Sequence, residues 1–83
     1  MKILFFARLR ELLGSDCFEI ADADCPADVA ALRAMLRLSV NAQLAESLAD
    51  PNVFCAVNQK VAGEDQTLKS SDEVAFFPPM TGG

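Results

Sequence analysis

Glu73-Val74-Ala75-Phe76-Phe77-Pro78-Pro79 is the stretch on which the fold turns. Residues 74–77 read as a strand, and Pro78-Pro79 must end it, because proline has no N–H to give a ladder and holds the chain extended. A second double phenylalanine, Phe5-Phe6, lies in an apolar run over residues 2–7 that reads as the first strand. Joined in parallel, the two runs sit at the centre of a sheet. Period-two alternation then splits each pair, with Ile3, Phe5 and Ala7 siding with Val74 and Phe76, and Leu4 and Phe6 siding with Phe77. Phe5 and Phe76 are expected beneath a helix.

The remaining elements follow outward from this centre. Arg8–Leu13 fits one or two helical turns stopped by Gly14, a residue suited to the left-handed conformation that ends helices. Residues 16–21 read as a second strand with Phe18 and Ile20 on the core side and Glu19 outside, pairing with the first strand as a hairpin. Asp28 can cap a helix from Val29, whose stripe of Val29, Leu32, Met35 and Leu36 faces the core while Arg33 and Arg37 face water. A shorter helix over residues 41–49 carries Leu44 and Leu48, and Asp50-Pro51-Asn52 breaks it. Residues 53–58 form a third strand at the sheet centre, with Val53, Cys55 and Val57 on one face and Phe54, Ala56 and Asn58 on the other. A turn near Gln59-Lys60, a brief strand at Val61-Ala62 and an apolar plug at Leu68 complete the chain.

Two strands, a helix, a strand, a short strand and a last strand predict an α+β domain, a mixed sheet with one main helix across one face. That is the ubiquitin-like β-grasp order. Residues 1–77 are read as this domain and residues 78–83 as a flexible, extended C-terminal diglycine tail.

Composition narrows the function. The 83 residues carry 12 acidic and 7 basic side chains, a net charge of -5, which repels phosphate backbones and anionic membrane surfaces. Neither nucleic acid nor membrane is expected as a partner. The opening apolar run is cut by Arg8 and Arg10, leaving it too short for a signal-peptide core or a bilayer span, so a cytoplasmic location is expected. The sequence has no histidine, which excludes Ser-His-Asp and Cys-His catalysis and imidazole metal sites. Cys17, Cys25 and Cys55 are odd in number, lack C-x-x-C spacing and read as reduced small hydrophobes. The carboxylates show no acid/base or cation-loop spacing, so no metal site and no bound cofactor are expected.

What is left is a face and a tip. A single covering helix leaves Phe6 and Phe77 on a shared exposed apolar patch of the kind that marks protein interfaces, unless loops cover it. After Pro78-Pro79 come Met80, Thr81, Gly82 and Gly83. Two terminal glycines arise by chance in roughly one chain in 200. The arrangement is more specific than the pair: a buried strand, a diproline stiffener, two linking residues, then two residues without side chains. Such a tip can thread a narrow channel, since glycine permits a backbone approach that a Cβ blocks, and its chemical handle is the carboxylate of Gly83.

With these residues in view, the sequence resembles the small subunits of molybdopterin synthase, the MoaD type, within the wider group of ubiquitin-like sulfur carriers. The resemblance covers nearly the whole chain. It rests on Leu4-Phe5-Phe6-Ala7 with Leu9-Arg10-Glu11-Leu12, on Ala56-Val57-Asn58-Gln59, on residues 72–79, and on Thr81-Gly82-Gly83. Ser71 departs from the glycine usual before Asp72, and residues 38–51 match only loosely.

The resemblance implies a mechanism. The α-carboxylate of Gly83 is a resonance-stabilised anion at neutral pH, with an ordinary pKa of about 3.3–3.7, and resists attack until activated. An E1-like adenylyltransferase would join it to AMP from ATP, and a sulfur donor protein would convert it to a thiocarboxylate. The tail of Pro78, Pro79, Met80, Thr81 and Gly82 would insert into the large synthase subunit, delivering sulfur to a cyclic pyranopterin monophosphate in molybdenum cofactor biosynthesis. Two carriers serve each product, and the implied assembly is a heterotetramer. Catalytic side chains would lie on the large subunit, so the chain is not an enzyme by itself. Phe6, Val61 and Phe77 are the expected docking residues, shared by the activating enzyme and the synthase partner. The alternatives are a thiamine-pathway sulfur carrier, a ubiquitin-like protein modifier joined to lysines through Gly83, and an interaction domain whose tail has no covalent role.

Overall fold

The computed structural model describes residues 1–79. It contains strands β1 (Lys2–Phe5), β2 (Cys17–Glu19), β3 (Phe54–Val57), β4 (Lys60–Ala62) and β5 (Glu73–Phe77), with helices α1 (Arg8–Leu13), α2 (Val29–Ser39) and α3 (Ala42–Ala49). The strands form one five-stranded sheet in the order β2-β1-β5-β3-β4. β1 and β5 run parallel, and the other pairings are antiparallel. This is the mixed β-grasp sheet expected from the element order, with β5 central.

Local chemistry explains the boundaries. β1 stops at Phe5, two residues before the expected end, because Ala7 takes a left-handed φ of 52° and redirects the chain into α1. Gly14 ends α1 at φ 83°, ψ 8°, its N–H bonding the Arg10 carbonyl. Asp28 caps α2 by accepting from the Ala31 N–H at 2.8 Å, and Asn41 caps α3 by accepting from Leu44 N–H at 2.9 Å. The β3–β4 hairpin turns on Asn58 and Gln59, at φ 52° and 68°, the paired positive values that a tight two-residue hairpin needs.

All the described helices pack on one side of the sheet. Val29, Leu32 and Leu36 of α2 are fully buried, but so are Leu44 and Leu48 of α3, and Leu9 of α1 is nearly so. α2 is the main helix across this face, and the short helix expected over residues 41–49 is capped and shares the cover with it. Beneath them Phe5 and Phe76, 1% and 0% exposed, stack with ring centroids 5.8 Å apart. Leu68 is buried, as its reading as a plug requires.

Arg33 does not face water. Its guanidinium donates to the carbonyls of Leu48 at 3.0 Å and Val53 at 2.9 Å, and to both carboxylate oxygens of Glu64 at 3.0 and 3.1 Å. It also lies 5.3 Å from the Phe76 ring centroid. The side chain ties α2 to the end of α3, the approach to β3 and the segment after β4.

Candidate docking face and tail base

Among the described residues no helix lies on the sheet's other side, and the residues there fall into three rows fixed by the register. Phe77 pairs with Phe54 across β5 and β3. Its ring stacks on Phe6 at 4.6 Å and 2°, and on Phe54 at 5.0 Å and 11°. Three near-parallel rings thus make an aromatic row at the end of the sheet where β5 leads into Pro78. The middle row is Cys17, Leu4, Ala75, Ala56 and Val61, each opposite the next. The third row is polar: Lys2 stands opposite both Glu19 and Glu73.

Phe6 and Phe77 therefore share one face, as alternation predicts, and the pairing of β4 with β3 brings Val61 onto it. Phe6 is 37% exposed and Val61 75%, while Phe77 is half-buried between its two stacking partners. Exposure on this scale in a clustered apolar face is an interface feature, since water solvates it poorly. The sequence reading named two of the three rings and missed Phe54. Alternation had already set Phe54 apart from Val53, Cys55 and Val57; the missing step was the β3–β5 register, which brings it against Phe77.

The tail begins beside this face. Pro78 and Pro79 are half-buried and line a crevice of about 100 Å³ with Arg8, Leu9, Ser47, Asp50 and Val53, between the start of α1 and the end of α3. Met80, Thr81, Gly82 and Gly83 lie outside the described residues.

Nucleophilic chemistry on the body is weak. Burial pushes the Cys55 thiol up to about 11, with the nearby Arg33 charge opposing only in part. Cys17 and Cys25 are half-buried and, like Cys55, unpaired. Among the described residues, no cluster of three or more His, Cys, Asp or Glu side chains could hold a metal ion. No described helix is long and apolar enough to cross a membrane. Asp72 has its pKa lowered by the Lys69 backbone N–H and then by the Asn58 amide, at 2.8 and 3.0 Å, and serves to pin the β3–β4 turn to the start of β5.

The chain matches known proteins along its whole length. The family described as ThiS matches residues 3–83. The molybdopterin synthase sulfur carrier subunit of Escherichia coli (strain K12) is 47% identical over 83 residues, covering 100% of this chain and 99% of that protein. A solved complex of subunits 1 and 2 of molybdopterin-converting factor from Helicobacter pylori contains a chain 25% identical, with TM-score 0.63 over 99% of this chain and 96% of that one. The small archaeal modifier protein 1 of Methanosarcina acetivorans superposes with TM-score 0.77 at 22% identity, over 99% of this chain and 94% of that one, which is a likeness of fold. The chain belongs to the ThiS family, with molybdopterin synthase sulfur carrier subunits among its relatives.

Proposed function

We propose that this chain is the sulfur carrier subunit of a molybdopterin synthase, loaded on Gly83. The observation that carries the reading is the uncovered Phe6–Phe77–Phe54 row, centred on Phe77 of β5, the strand that runs directly into Pro78-Pro79. A docking face placed there fixes where the following residues enter a partner. The full-length likeness to a protein of that description in Escherichia coli, and the two-subunit complex from Helicobacter pylori, support a large-subunit partner.

In this reading the body supplies no catalytic side chain. The Gly83 carboxylate attacks the α-phosphorus of ATP on an E1-like adenylyltransferase, pyrophosphate leaves, and a mixed anhydride with AMP forms. Sulfide-level sulfur (HS⁻) released by a donor protein then attacks the carbonyl carbon, the C–O bond to AMP breaks, AMP leaves with the electron pair, and a thiocarboxylate remains. Gly82 keeps the backbone bare beside the reacting carbon, Met80 and Thr81 span the channel, and Pro78-Pro79 restrict the entry angle. Phe6, Val61 and Phe77 serve both partners, so the two complexes exclude one another. The thiocarboxylate donates its sulfur to cyclic pyranopterin monophosphate in the large subunit.

The tip is the place to test this. Replacing Gly82 by Trp, or extending the chain past Gly83, is expected to abolish sulfur transfer in a reconstituted synthase while circular dichroism and the unfolding midpoint stay unchanged. Normal product formation by either variant refutes the reading, and high-mass conjugates on a denaturing gel redirect it to protein modification.

A further inference from the structure

The middle row of the open face dips at its two alanines. Ala56 and Ala75, opposite one another on β3 and β5, are 7% and 8% exposed, and the space above them is a depression of about 330 Å³. The aromatic row walls one side and Val61 another, while Gln59 and Glu73 form a polar lip opposite the rings. Two methyl groups therefore floor a hole bounded by much larger side chains. Water in such a hole gains few hydrogen bonds, so filling it with apolar atoms is favourable. A small-molecule site of this volume needs several convergent polar groups to orient its ligand, and here the only ones are on the lip.

Resting on the functional reading above, we infer that the Ala56–Ala75 depression is a socket for one large apolar side chain of the large subunit, flanked there by a Lys or Arg that meets Glu73. Two observations specify this occupant. The socket is continuous with the aromatic row, so any partner seated on Phe6 and Phe77 covers it. Glu73 is exposed at its lip, and although Lys2 stands opposite it in the register, no described cation forms an ion pair with its carboxylate. Apolar floor and acidic lip together call for a side chain of leucine, methionine or phenylalanine size next to a cation. The two alanines thereby become specificity residues: any larger side chain on either fills the hole from below and denies it to the partner.

Binding of the full chain to the large subunit, measured by calorimetry, tests the inference. Ala75→Leu points its added atoms into the depression, so its unfolding midpoint should hold while affinity falls at least tenfold. Should Ala75→Leu lose its cooperative transition, Ala56→Leu fills the same space from β3 and is read instead. Glu73→Gln should weaken binding three- to tenfold and reduce its dependence on salt. Phe77→Asp, which disrupts the whole face, is the control for complete loss. Folded Ala75→Leu or Ala56→Leu binding as tightly as the wild type overturns the socket alone. A wild-type chain that does not bind the large subunit overturns the functional reading and the socket with it. Self-association of the isolated chain that Ala75→Leu abolishes while large-subunit binding is unchanged assigns the depression to a second copy and also overturns it.

Discussion

At the residue scale, the paired phenylalanines and Arg33 show what a sequence does and does not disclose. Phe5 and Phe76 went to the core and Phe6 and Phe77 to the open face because alternation along a strand is local and needs no partner. Arg33 was misassigned to solvent because its acceptors, Leu48, Val53 and Glu64, lie 15 to 31 residues away. Arg33→Met should lower stability by about 2 kcal/mol, since two carbonyls lose their donor, whereas Glu64→Gln should cost under about 1 kcal/mol at a partly exposed site. Denaturant titration distinguishes the two. Cys55 gives a pH signature. Its thiol stays protonated up to about 11 in the folded state but ionises near 9.0 once unfolded, so its contribution is intact below pH 9.0 and lost as pH rises toward about 11. Cys55→Ala should flatten the fall in stability across that window, as followed by denaturant midpoints at successive pH values.

At the element scale, caps and turns set the boundaries. Asp28 and Gly14 begin and end helices by a local hydrogen bond or an allowed left-handed φ, which is why the start of α2 and the end of α1 were legible from residue type, whereas α3 was legible from the spacing of Leu44 and Leu48 and its Asn41 cap was not. The early end of β1 was not, because an alanine at φ 52° carries no signal in its side chain. A Cβ at Gly14 would meet no atom within 4 Å, so Gly14→Ala should cost only the left-handed backbone term, about 1 kcal/mol, measured as a lower thermal midpoint with an unchanged spectrum. The joint cover by α2 and α3 escaped the sequence reading for another reason: whether a short amphipathic helix docks depends on free sheet area, a property of the assembled domain.

At the scale of the whole molecule, the sheet is asymmetric. One side buries the core under helices, and the other presents rings, a depression and a charged row, with Pro78-Pro79 leaving beside the rings. The existence of this open face followed from too few helices to cover two sides; its membership, including Phe54 and the alanine floor, required the register of β3 against β5. In the proposed function such a body orients and delivers, and the reaction belongs to residues it carries into a partner. That proposal is tested most directly by the intact mass of the chain incubated with the large subunit, an E1-like adenylyltransferase, a sulfur donor protein and ATP. The account predicts replacement of one oxygen by one sulfur, located by fragmentation to Gly83 and absent when ATP is withheld; an unmodified Gly83 in a preparation that makes product would contradict it.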